Sequence, residues 1–154
     1  MKCFECHQGK LTNGIADLAG EVRGQRFKVR SEAMTCNRCG AHVLNDEQSA
    51  AYTVAISDAY RVKHGMLTSS DLRDARARLG LSHAAFARFL EVGVASVKRW
   101  EAGLIQDEAN DRLIRLRTDL EAARHNIRAL EQRLDRPSGK VSAGRPSRGT
   151  ARPA

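Results

Sequence analysis

The spacing of apolar positions changes along the chain, and each change predicts an element. In residues 1–44 apolar runs are short; in Arg26-Phe-Lys-Val-Arg30 they alternate, so Phe27 and Val29 share one face of a strand. Arg23-Gly24-Gln25-Arg26 ahead of that run reads as a turn, which predicts a small β-hairpin module. At Asn45, a candidate N-cap, the period becomes helical. Acids (Asp46, Glu47) stand in the first turn, bases (Arg61, Lys63) in the last, and Gly65 follows, so 45–66 is predicted as a helical linker. Residues 67–110 divide at Gly80, Gly93 and Gly103 into short helical pieces, with Ser82 placed as an N-cap, the mark of a compact all-α unit.

Beyond it, across 111–135, Leu113, Leu116, Leu120, Ala123, Ile127, Leu130 and Leu134 recur at alternating spacings of three and four. That is an a/d seam of about three heptads flanked by Arg and Glu, which predicts a long coiled-coil helix and a homodimer; one amphipathic helix folded onto its own domain is the alternative. Residues 136–154 are mostly Pro, Gly, Ser and Arg, have little to bury, and are predicted to be disordered. The expected fold class is therefore mainly α, with a small N-terminal β-hairpin module.

Composition sharpens this division. A chain of 154 residues with 5% aromatic content suits two small modules better than one large core. No apolar h-region follows Met1-Lys2 and no stretch reaches membrane-spanning length, so the expectation is a cytoplasmic protein with reduced thiols and no membrane partner. The net charge of +8 points to a polyanionic partner, but residues 136–154 hold five Lys and Arg and no acid. Their Gly144-Arg-Pro-Ser-Arg-Gly149 stretch has a composition found in minor-groove-binding arms; a solubilising tail with nonspecific phosphate affinity is the simpler reading.

The four cysteines carry the first chemistry. Cys3 and Cys6 form one C-x2-C pair, Cys36 and Cys39 a second, with 29 residues between Cys6 and Cys36. Zinc takes four soft donors in a tetrahedron, and two such knuckles complete the set. Gly9 and Gly40 supply permissive backbone beside them. A redox C-x-x-C is the rival, but it belongs at a helix N-terminus in a β-α-β setting, which neither pair has. The spacing thus predicts one structural Zn2+ per chain, with His7 and His42 as surface residues. Four thiolates leave no open coordination position, and no nucleophile stands beside a base, so an enzyme is not expected.

Leu81 to Gly103, LSHAAFARFLEVGVASVKRWEAG, carries the second chemistry. Ser82 caps a helix with Phe86, Phe89 and Leu90 as its expected buried face, Ala87 is small where a second helix approaches, and Val92 sits in the turn. On the next helix Val97 and Trp100 face the core, leaving Ala95, Ser96, Lys98 and Arg99 outward. The stretch resembles the Cro/repressor-type helix-turn-helix, whose second helix enters the major groove of double-stranded DNA. His83 lies where that pattern has a phosphate-contacting residue.

Together with MKCFECHQGKL, RGQRFKVR, TCNRCG and NDEQSAAY, this helix-turn-helix makes residues 1–120 similar to the MqsA family of antitoxins, YgiT-type zinc-finger/helix-turn-helix proteins. The resemblance implies a dimeric repressor that binds a palindromic operator through its C-terminal half, while the zinc module blocks a ribonuclease toxin. It implies zinc ligands at Cys3, Cys6, Cys36 and Cys39 and a base-reading arginine at Arg99. The family's base-reading asparagine falls on Ala95, which cannot make a bidentate contact to adenine. The heptads and basic tail extend past the family pattern. A free-standing regulator with no toxin is the alternative reading.

Overall fold

A computed structural model describes residues 1–135; the predicted disordered tail, 136–154, lies outside the described residues. The chain runs β1 (Leu11–Val22), β2 (Gln25–Cys36), β3 (His42–Val43), α1 (Asp46–Lys63), α2 (Ser69–Arg78), α3 (His83–Leu90), α4 (Val94–Glu101), α5 (Glu108–Thr118) and α6 (Leu120–Leu134). An N-terminal hairpin followed by helices is the order the patterning predicts.

β1 and β2 pair antiparallel from Val22↔Gln25 at the tip to Leu11↔Cys36 at the base, and β3 adds to the far edge of β2. The tip is a two-residue turn in which Arg23 (φ 50°) and Gly24 (φ 76°) are both left-handed, the geometry whose twist matches a hairpin. The hairpin is much longer than the alternating run suggested. β1 is rich in Gly and Ala, poor strand formers, so it has no pattern of its own. Packing explains Gly20: a Cβ there would lie 2.0 Å from the Tyr52 hydroxyl and 2.3 Å from Ile56 Cδ1.

α1 begins where expected, since Asn45 and Gln48 form a reciprocal capping box. It is more than the expected linker. One side lies on the hairpin, where Tyr52 Oη donates to the Ala19 carbonyl at 3.1 Å and Tyr60 meets Phe27 edge-on with centroids 6.0 Å apart. From the other side Arg61, 0% exposed, reaches into the helical unit. Its Nη2 donates to the carbonyls of Trp100 (2.9 Å) and Leu104 (2.8 Å), its Nε to Gln106 Oε1 (3.0 Å) and its Nη1 to Asp58 (2.7 Å). Asp58 also accepts from the Ser69 amide and hydroxyl, which, with the Arg61 guanidinium, hold its carboxyl below the ordinary value despite burial.

The helical core is Leu72, Ala75, Phe86, Ala87, Leu90, Val97, Trp100 and Ile114. Ile114 belongs to α5, so this core extends past residue 110. Phe89, expected inside, is 40% exposed, because the core face of α3 centres on Phe86, Ala87 and Leu90 and leaves the Phe89 ring at its rim, stacked on Phe86. The expected long C-terminal helix is two helices. Asp119 is extended (φ −113°, ψ 114°) and its side chain accepts from the amides of Glu121 and Ala122, ending α5 and capping α6. The apolar seam is split with it: Leu113 and Leu116 lie on α5, Leu120 to Leu134 on α6.

Candidate metal centre and nucleic-acid interface

The base of the hairpin gathers the four cysteines. Cys36 ends β2, and Cys3 is held by its amide, which donates to the Gly9 carbonyl at 2.9 Å. The two knuckles are built alike: the amide of His7 donates to the Cys3 carbonyl and that of Gly40 to the Cys36 carbonyl, both at 3.1 Å, and both residues are left-handed (φ 55° and 72°). Gly40 thus has the permissive role expected of it. Gly9 is required for a different reason, since a Cβ there would stand 2.3 Å from Cys36 Sγ.

The four sulfurs all lie within 4.8 Å of one another, with Cys3–Cys39 and Cys6–Cys36 each at 3.7 Å. Tetrahedral bonds of ~2.3 Å place thiolates about 3.8 Å apart, so the set fits one zinc-sized ion. Backbone amides turn toward the sulfurs. Those of Gln8 and Gly9 lower the Cys6 thiol to about 6, and those of Cys39 and Arg38 lower Cys36. The Ala41 amide also favours the Cys39 thiolate, but crowding by the neighbouring sulfurs, Cys36 foremost, and desolvation push that thiol up to about 12. A divalent cation at the centre reverses this repulsion. His7 and His42 are exposed, and His42 Nδ1 pairs with Thr35 Oγ1 at 3.0 Å, away from the sulfur set.

α3 and α4 form the second site. Ser82 caps α3 through the Ala85 amide, and Val92 packs against the core from the turn. Val97 and Trp100 pin α4 from behind (1% and 6% exposed), leaving Ala95, Lys98 and Arg99 exposed and Ser96 half-buried. Glu101, 7% exposed, anchors the end of this helix: Arg76 grips both carboxylate oxygens (2.8 and 3.0 Å) and His83 Nε2 lies 3.0 Å from Oε2. Burial raises its carboxyl, but the Arg76 and His83 contacts outweigh that and hold it below the ordinary value. His83 therefore has one ring nitrogen on Glu101 while standing partly open at the start of α3. The sequence carries no local signal for Arg61, Asp58, Gln106 and Arg76, because each acts on a partner distant in sequence or through a loop. The pairing of a helical Arg with a non-helical Gln carries no local pattern.

Of the predicted seam, Leu113 is half-buried on α5, while Leu116, Leu120, Ile127, Leu130 and Leu134 are exposed. Among the described residues no helix is long and apolar enough to cross a membrane.

A hairpin whose base gathers four cysteines, joined through a packed helix to a helix-turn-helix unit, defines the class: a two-module protein with a candidate metal site and an outward-facing second helix. The chain belongs to the MqsA family, described as the antitoxin component of bacterial toxin-antitoxin systems, which it matches over residues 1–126. It is similar to the antitoxin MqsA of Escherichia coli (strain K12), 28% identical over 109 residues that cover 69% of this chain and 82% of that protein. The solved N-terminal domain of E. coli MqsA is 30% identical with a TM-score of 0.35, over 42% of this chain and 97% of that domain.

Proposed function

We propose that this antitoxin is a zinc-stabilised, sequence-specific repressor that binds a palindromic operator as a dimer, inserting α4 into the major groove, and that its N-terminal module blocks a ribonuclease toxin in the cytoplasm. The observation that carries the DNA reading is the division of α4: Val97, Trp100 and Glu101 are buried and tethered, while Ala95, Lys98 and Arg99 face outward without an ion-pair partner among the described residues. A helix fixed on its inner face can present its outer face rigidly to base edges. Arg99 is the reader, through guanine O6 and N7; Ser96 and Lys98 supply further donors, His83 a phosphate contact, and Ala95 only apolar contact. The sulfur spacing supports zinc as the metal, with its role confined to holding the fold.

Titration on cognate and scrambled duplexes tests the reading. Arg99→Ala should cost about 1–3 kcal/mol on the cognate site and relax preference at one base position per half-site. Uniform weakening on every duplex would reduce Arg99 to a phosphate anchor and move base reading elsewhere. For the toxin, the native complex isolated from its source should contain a small ribonuclease; its absence there favours a free-standing regulator.

A further inference from the structure

α6 is a fifteen-residue helix with no buried residue. A helix of ~12–15 residues is marginal in water when nothing packs against it, yet α6 keeps a regular apolar row: Ala123, Ile127, Leu130 and Leu134, with Ile127 and Leu130 each 53% exposed and Leu134 84%. The row is not turned toward the chain's own helical unit. Ala122, His125 and Asn126, on the adjoining face, line a cleft with Arg112, Arg115 and Leu116 of α5, so the apolar row is left over once the intramolecular contact is made. The break at Asp119 is what frees it from the direction of α5.

We infer that α6 pairs with α6 of a second copy, and that the two helices run antiparallel. This rests on the dimeric reading above and adds its interface and orientation. The charges beside the row decide the direction. Arg124 directly follows Ala123 and Glu131 directly follows Leu130, so both stand at the same flanking position of the seam, seven residues apart. In an antiparallel pair Ile127 packs against the partner's Leu130 and Ala123 against the partner's Leu134. The same two-fold then sets Arg124 opposite the partner's Glu131 and Glu131 opposite the partner's Arg124, two equivalent attractive pairs. In a parallel pair the flanking partners shift: Arg124 meets the partner's Asp119, but Glu131 meets the partner's Asn126, which is uncharged, so the parallel pair leaves Glu131 without a cation while the antiparallel pair satisfies both charges. Among the described residues the ion pairs of this region are Arg112–Glu108, Arg115–Asp111 and Arg117–Glu91, and none reaches α6, so Arg124 and Glu131 remain available.

A charge-swap series on the full, metal-loaded chain tests this by sedimentation over a range of concentrations. Arg124→Glu and Glu131→Arg should each weaken self-association by about tenfold, since each turns two attractive pairs into two repulsive ones. The variant carrying both changes should return to the wild-type association constant. Circular dichroism and zinc content checked alongside should stay at wild-type values, because both positions are exposed. Single variants that weaken the dimer without rescue in the double variant overturn the antiparallel orientation. Full-strength dimers in all three, and also in Ile127→Asp, overturn α6 as the interface while leaving DNA binding through α4 intact. A wild-type chain that stays monomeric while it binds its operator overturns the dimeric reading itself.

Discussion

Gly9 and Arg61 are single residues whose roles come entirely from what surrounds them. Gly9 has Cys36 Sγ at 2.3 Å from where its Cβ would be, so Gly9→Ala must displace the Cys36 sulfur from the four-cysteine set. We expect metal affinity to fall about 10–100-fold, the range for losing a group that orients a ligand, as read by competition with a chromophoric chelator. Wild-type affinity would mean that the knuckle relaxes around the methyl group. Arg61 is the reverse case, a fully buried charge whose removal strands Asp58, Gln106 and two carbonyls. Arg61→Ala should cost about 3–5 kcal/mol in denaturant unfolding. A loss under 1 kcal/mol would show that water replaces the guanidinium there.

Elements differ in what holds them. The knuckles rest on a small cluster of Cys3, Leu11 and Cys36 with Met34, Ala41 and Val43 beside it, whereas the hairpin stem shares Ala16, Leu18 and Ala33 with Tyr52 of α1. Stripping the metal should therefore expose the amides of residues 1–11 and 34–43 to rapid hydrogen exchange, while α2 to α5 keep their protection. Loss of protection in α4 on chelation would mean that the knuckles hold up the helical unit as well. α4 in turn depends on Glu101, whose carboxyl is depressed by Arg76 and His83. A depressed acid stabilises the fold above the ordinary glutamate value of 4.5, and that contribution disappears as pH falls below it through the folded value. Unfolding free energy should drop on acidification below about pH 4.5, and Glu101→Gln should flatten that limb while lowering stability at neutral pH. An unchanged acid limb in the variant would assign the acid sensitivity to Asp58 and other carboxylates.

Across the molecule, α1 is the piece that makes two modules one body. Tyr52 and Tyr60 of this helix meet the hairpin, while its Arg61 donates to the carbonyls of Trp100 and Leu104 at and just beyond the end of α4.

The two C-x2-C pairs, the caps at Asn45 and Ser82, the inward Val97 and Trp100 and the outward Arg99 were legible in the amino-acid order because each depends on spacing within a few residues of itself. The capping box, the C-x2-C knuckle and the helical period are local geometry, and local geometry survives into the fold. Thr118-Asp119 before Leu-Glu was a legible N-cap of the same kind, hidden because the heptad spacing ran through it unbroken. What the order of residues did not reveal depends on partners far along the chain. Gly20 of β1 answers to Tyr52 and Ile56 of α1, which pack on it; Phe89 is left at the rim because the core face of α3 centres on Phe86, Ala87 and Leu90; Arg61 finds Gln106 and Leu104 only once the chain has folded. Burial of a charge or a glycine is set by what arrives from elsewhere, and that is a property of the tertiary structure alone.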